Sequence, residues 1–175
     1  MFAVGAVSGS AITGTLLGLL GGLTGIRGGI TAIAILAGAG VLFLAADVGI
    51  AGLKTPTLRR QTNSTWWRSR GSSSATVLWG IDLGLGFTTI RVGSLYWLAA
   101  LAVFLKGSPS SGATIMIFYG VGVAAHVFVG VFLLDRNDRH PRPNIRALAL
   151  SHLMRSLLVA ALAIWTVYLA VRIAD

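Results

Sequence analysis

The sequence predicts an all-α integral membrane protein with about five transmembrane helices. Hydrophobic residues occupy 55% of the 175 positions, only 11% of positions are charged, and the mean hydropathy is +0.81. Soluble domains carry roughly 25% charged residues, and a soluble core in so short a chain could not bury this much apolar surface. Apolar stretches of about 20 residues, the length that crosses the hydrocarbon core, recur along the chain. We therefore expect a single polytopic membrane domain over residues 1–175.

Five segments fit the length of a membrane-spanning helix, namely residues 2–25, 30–53, 76–105, 110–134 and 150–172. The first has no basic start and no small-residue cleavage site, so we interpret it as a retained helix rather than a signal peptide. The short connection GIRGG after it predicts that the first two segments form a helical hairpin.

Two polar connections, residues 54–75 and 135–149, carry most of the arginines. Five crossings place both on one face, and the positive-inside rule makes that face cytoplasmic, with the N-terminus inside and the C-terminus outside. A surface for acidic lipids or a partner is the alternative role of these loops. The arginine-dominated charge and the high glycine and alanine content favour a bacterial origin, so the expected location is the bacterial cytoplasmic (inner) membrane.

The third segment is too long for one straight crossing. Its thirty or so residues would extend ~45 Å as a helix, against a hydrocarbon core of ~30 Å. Glycines cluster near its middle, where non-helical backbone survives only if it is buried in protein or faces a wet cavity. We therefore predict a broken helix over residues 86–94, at Gly86, Thr88, Thr89, Gly93 and Ser94.

Small residues recur at four-residue spacing in several segments. Gly5 and Gly9 begin the series in the first segment, Gly38 and Gly49 belong to the second, and further pairs occur in the third and fourth. Such faces let helix backbones approach closely in a membrane. Packing within the chain is the favoured interpretation, and a subunit interface is the alternative.

Five ionisable residues lie inside or just inside the predicted spans. A charge at mid-bilayer costs at least ~2.5–3.5 kcal/mol on insertion scales, so each requires a partner or water. Their depths place them together in the cytoplasmic half of one bundle, with Asp47 the favoured partner of Arg91. The cluster is either a polar pathway, in which the histidine can change charge, or an ion-pair network that fixes helix register. Its members are Asp47, Asp82, Arg91, His126 and Arg155.

Composition excludes much catalytic chemistry. The chain has no cysteine, which removes disulfides, thiolate metal sites and thiol redox chemistry. Glutamate is absent as well, and His140 and His152 lack metal-ligand spacing. We expect no catalytic residues, no cofactor, no metal and no nucleic-acid partner, and therefore not an enzyme. The expected partners are the lipid bilayer and either other membrane subunits or further copies of the chain.

The third and fourth segments nevertheless resemble a known family. The stretch WGIDLGLGFTTIRVGSLYWLAALAVFLKGSPSSGATIMIFYGVGVAAHVFV is similar to the second half of the DsbD/CcdA transmembrane thiol–disulfide conductors. The resemblance implies a bundle in which this chain's five helices match the last five of the family's six. Arg91 then stands where the redox cysteine would be, and Ile90 and Ser94 replace the flanking prolines. A guanidinium stays protonated and carries no electrons, so conduction by the family mechanism is excluded for this chain alone.

Two functions remain. The favoured hypothesis is a non-catalytic accessory or structural subunit of a larger membrane assembly, built on a cysteine-less bundle of this type. The alternative is a small transporter or channel in which Arg91, at a broken helix, favours an anionic substrate.

Overall fold

The computed structural model describes residues 1–25, 29–54, 72–86 and 94–135, with backbone alone at 72 and 130–135, and six later positions, 156, 159–161, 164 and 165. All regular structure in these residues is helical. The helices are α1 (Phe2–Leu23), α2 (Gly29–Val48), α3 (Ser72–Leu85), α4 (Leu95–Lys106) and α5 (Pro109–Asp135), with a short 3₁₀ turn at Ile50–Gly52.

Three of the described helices, α1, α2 and the Pro109–Val129 part of α5, are long and apolar enough to cross a membrane. They indicate a membrane protein. The predicted third span is covered by two shorter helices, α3 with 14 residues and α4 with 12. At ~1.5 Å per residue neither is long enough for a ~30 Å core. Most of the predicted fifth span and of both basic loops lies outside the described residues, so the count of five spans stays a prediction.

Helix α1 is the centre of the bundle, because its glycines let three other helices approach it. Gly5 and Gly9 face the backbone of α3 near Val77 and Ile81. Further along, Gly14 and Gly18 face the start of α5, and Gly21 meets Phe104 of α4. In each case a Cβ atom in place of the glycine hydrogen would collide with neighbouring backbone. The small-residue faces of α1 are thus packed within the chain.

The same contacts fix the directions of the helices. Helix α3 runs parallel to α1, because Val77 lies at Gly5 and Leu85 lies at Gly9. Helix α4 continues in the same direction and reaches Gly21 with Phe104. The end of α3 and the start of α4 therefore both lie beside the middle of α1. Helix α5 returns antiparallel to α1, from Pro109 near Gly18 to Gly120 near Ala6 and Ser10, the neighbours found in the same way.

Helix α2 stands apart from this arrangement. Of the other described helices it contacts α4 alone, through an apolar cluster of Ala32, Leu36, Leu98 and Leu105. The predicted hairpin packing of the first two helices is therefore wrong for the described residues, since α1 is covered by α3, α4 and α5 instead. A second apolar cluster, of Tyr96, Ala100, Val103 and Met116, joins α4 to α5.

Candidate functional site at the interrupted third span

Two helix ends lie within the predicted third span. Helix α3 ends at Leu85, and the next residue, Gly86, has a φ of +83°. Helix α4 begins at Leu95, directly after the buried Ser94. The ring of Tyr96 occupies the space where a side chain at position 86 would lie, so both the backbone conformation and the packing require glycine there. Thr88, Thr89 and Gly93 lie outside the described residues, and the exact course of the break stays a prediction.

The C-terminal carbonyls of α3 accept hydrogen bonds from hydroxyl groups on other helices. The Ser10 hydroxyl of α1 donates to the Gly84 carbonyl oxygen over 2.9 Å. The Leu85 carbonyl oxygen accepts from the Thr13 hydroxyl at 3.1 Å and from the Tyr96 hydroxyl at 3.0 Å. The last four carbonyls of a helix have no partner within the helix, and hydrocarbon offers none. These three hydroxyls therefore replace the water that would solvate the helix end in a soluble protein.

The N-terminal end of α4 is held by a carboxylate. Asp47, in the last turn of α2, accepts the Ser94 backbone N–H at 2.8 Å through Oδ2 and the Ser94 hydroxyl at 2.7 Å through Oδ1. Both residues are buried, Asp47 at 4% exposure. Hydrogen bonds to an ionised acceptor are about twice as strong as neutral ones, and the N-terminus of a helix favours negative charge. Asp47 thus holds Ser94, the N-cap residue of α4, from a different helix.

The five residues of the predicted polar cluster have different surroundings. Asp47 is buried against α4, Asp82 is half-buried on α3, and His126 is exposed on α5. Within the described residues, α2 contacts neither α3 nor α5, so Asp47 is not brought to the helices of the other two. Arg91 and Arg155 lie outside the described residues, and so does the predicted Asp47–Arg91 pair. The described hydrogen-bond partner of Asp47 is Ser94, on the helix that follows Arg91.

Three residues at this site, Ser10, Thr13 and Tyr96, were not identified from the sequence. Hydroxyl residues in apolar helices usually bond the carbonyl four residues earlier, as Thr15 does with Ala11. The single hydroxyl proton of Thr13 is shared between that local acceptor, the Gly9 carbonyl oxygen, and the Leu85 carbonyl oxygen. Residue type therefore does not distinguish a threonine that bonds only its own helix, such as Thr15, from one that also bonds a neighbouring helix, such as Thr13. The available signal is position, since Ser10 and Thr13 lie on the glycine-rich face of α1, where another helix backbone comes close.

The described residues of this arrangement form hydrogen bonds that stabilise two helix ends. The chain has no cysteine, and no set of three histidine or acidic side chains in the described part of the chain could hold a metal ion. The described geometry is that of two helix ends, the end of α3 and the start of α4, held by polar side chains inside an apolar bundle.

Comparison of the chain with protein-family models, curated proteins and solved structures gives no match. The resemblance to the DsbD/CcdA family accordingly stays a prediction that rests on the sequence motifs alone.

Proposed function

We propose that the chain is a non-catalytic accessory or structural subunit of a larger membrane protein assembly. The observation that carries the proposal is the exposed side of α2. Gly38, at the middle of this helix, has no atom of the described residues within 4 Å of the position of a Cβ, and Val41 and Leu42 beside it are 58% and 63% exposed. This face combines a small residue with apolar neighbours, as helix-packing faces in membranes do.

The comparison with α1 strengthens the argument, because both helices belong to one chain. The glycine-rich face of α1 is covered by three helices, whereas its exposed side carries large aliphatic residues such as Leu16 and Leu20. Large aliphatic side chains suit contact with lipid tails, and small residues suit contact with another helix. The open side of α2 places Ala34 and Gly38 among large aliphatic residues such as Val41 and Leu42, so it combines the two patterns. The proposed occupant is a transmembrane helix of a different membrane protein.

The interrupted third span fits a structural role. Both described helix ends at the interruption are bound by the chain's own side chains, with hydroxyls on the carbonyls of α3 and a carboxylate on Ser94. Because the chain's own side chains bind these helix ends, the bundle can keep one shape for contact with a partner without a bound ligand. The proposal includes the bacterial inner membrane as location and the cysteine-less DsbD/CcdA-like bundle as origin, both on the grounds given by the sequence.

A small anion transporter is the second candidate, and the helix ends at mid-bundle favour it. Broken helices in transporters direct their N-termini at anionic substrate groups. In this chain, however, the Ser94 amide and hydroxyl at the start of α4 already donate to Asp47, so these two donors are occupied by the protein itself. The transporter is therefore ranked below the subunit.

Purification of the tagged chain from its native membrane in mild detergent tests the proposal. We expect a second protein in fixed ratio, identified by native mass spectrometry. Gly38→Leu, which fills the open face of α2, should abolish recovery of that protein. Gly122→Leu is the matched control, because Gly122 is a helical glycine of α5 that is also in open space.

Recovery of the chain alone, as a monomer or as a homo-oligomer, would contradict the subunit proposal. Anion flux into proteoliposomes would then compare wild type with Arg91→Ala. Equal flux through both proteins would also exclude the transporter that depends on Arg91.

A further inference from the structure

The end of α2 combines a buried hydrogen-bonding group with an unusual backbone. Asp47 lies in the last helical turn, and the residues after the helix take positive φ at Gly49 (+84°), Ala51 (+55°) and Gly52 (+73°). Glycine adopts this conformation freely, but the Cβ of alanine crowds the following carbonyl oxygen. Ala51 is also exposed, so little packing opposes its return to an ordinary conformation.

Helix α2 is joined to the described bundle at two places, both on α4. One is the apolar cluster that includes Ala32 and Leu105, and the other is the pair of hydrogen bonds between Asp47 and Ser94. The second place is the start of α4, where the Ser94 backbone N–H precedes the first hydrogen bonds of the helix, which the Trp97 and Leu98 N–H groups donate to the Ser94 carbonyl oxygen. The position of the end of α2 therefore decides whether the start of α4 is held by Asp47.

We infer that Asp47 is a latch, through which the position of the α2 C-terminus sets whether the first turn of α4 is closed or open. In the closed form the carboxylate binds the Ser94 amide and hydroxyl, at the expense of left-handed backbone at Ala51. In the open form the end of α2 withdraws, Ala51 relaxes, and the start of α4 loses its cap. Such an element has two discrete arrangements, which is the requirement for a conformational switch.

The latch links the outside of the bundle to the interruption of the third span. A movement of α2 is transmitted to Ser94 through its hydrogen bond to Asp47. From there it is transmitted to the end of α3, because Tyr96, two residues after Ser94, donates to the Leu85 carbonyl oxygen. The inference that a partner helix causes that movement rests on the proposed function. The latch itself does not, and the isolated protein is enough to test it.

Hydrogen exchange of the purified full-length chain, followed by mass spectrometry, measures the latch directly. Exchange of amides 94–98 should be roughly fivefold faster or more in Asp47→Ala, in keeping with the loss of an N-cap. Asp47→Asn should lie between this variant and wild type, since its amide oxygen can still accept one of the two bonds. Thr114→Ala is the control, because the Thr114 hydroxyl bonds Ser110 of its own helix.

A change that favours the closed form should act in the opposite direction. Ala51→Gly removes the crowding at positive φ and should slow exchange at amides 94–98 relative to wild type. Exchange of α1 amides in the same samples shows whether each variant is folded. Wild-type exchange at 94–98 in a folded Asp47→Ala protein would overturn the inference. If Asp47→Ala does not fold, unchanged exchange in both Asp47→Asn and Ala51→Gly would overturn it equally.

Discussion

Replacement of Gly14 by alanine should destabilise the bundle, because it separates α1 from α5. An alanine Cβ at this position would lie 2.6 Å from the Gly112 carbonyl carbon and 2.8 Å from Met116 Cβ. Carbon atoms in contact are normally about 3.5–4.0 Å apart, so the two helices must move by roughly an ångström. The Gly112 atoms are backbone and cannot rotate away.

The size of the effect follows from two opposing contributions. Inserting a methyl group into a well-packed core costs ~1–3 kcal/mol, while alanine gains ~0.5–1 kcal/mol over glycine inside a helix. The net expectation is a loss of about 1–2 kcal/mol in the free energy of unfolding. Gly38→Ala is the matched control, since it adds the same methyl group to a membrane-length helix at a position with open space. It should leave stability unchanged or raise it by up to ~1 kcal/mol.

Unfolding in mixed micelles with increasing fractions of sodium dodecyl sulfate, followed by the fluorescence of the chain's five tryptophans, gives both free energies. Equal stability of the Gly14→Ala and Gly38→Ala proteins would refute the close approach of α1 and α5. It would also favour the alternative interpretation, in which the glycine face of α1 is a subunit interface.

Three further changes test the joint between α3 and α4 and the end of α2 in the same unfolding assay. Thr13→Val removes the hydroxyl that binds the Leu85 carbonyl and should cost ~1 kcal/mol, whereas Thr15→Val, which loses only a bond within α1, should cost less. Gly86→Ala should cost at least ~1–2 kcal/mol, because it combines left-handed backbone with a collision against Tyr96. Ala51→Gly should stabilise the protein by ~1 kcal/mol through relief of its positive φ.

Each of these changes has an outcome that would count against the structure. Equal losses for Thr13→Val and Thr15→Val would mean that the Leu85 carbonyl does not depend on α1. A Gly86→Ala protein as stable as wild type would be incompatible with a φ of +83° at that residue. A destabilised Ala51→Gly protein would show that Ala51 does not hold left-handed backbone.

The sequence predicts local features of this fold well, because they depend on residues close together along the chain. The glycine spacing of α1 indicates close contacts with other helices. The excess length and the glycines of the third segment predict a helix break at residues 86–94, and the described helices α3 and α4 end and begin on either side of these residues. Pairings between distant residues could not be predicted in the same way. The bond between Ser94 and Asp47, 47 positions apart, depends on how α2 lies against α4, while the predicted Asp47–Arg91 pair lies outside the described residues and stays a prediction.

The neighbours of α2 illustrate the same limit. A short connection after α1 favours a hairpin, yet α4 takes the place beside α2, since α1 offers its glycine faces to helices made later in the chain. Sequence spacing shows that a face can be packed closely. It does not show which helix packs there.

The two hydrogen bonds of the Thr13 hydroxyl have a consequence for the order in which the chain is made. Helix α1 leaves the ribosome before residues 72–85 exist, so its hydroxyls enter the membrane without the carbonyls of α3. The bond from Thr13 to Gly9 is available at once, within the same helix. That bond satisfies the hydroxyl within hydrocarbon until the Leu85 carbonyl is in place, after which the single hydroxyl proton is shared between the Gly9 and Leu85 oxygens. A helix made earlier in the chain can thus carry a hydroxyl, already hydrogen-bonded to its own backbone, that the end of α3 uses later.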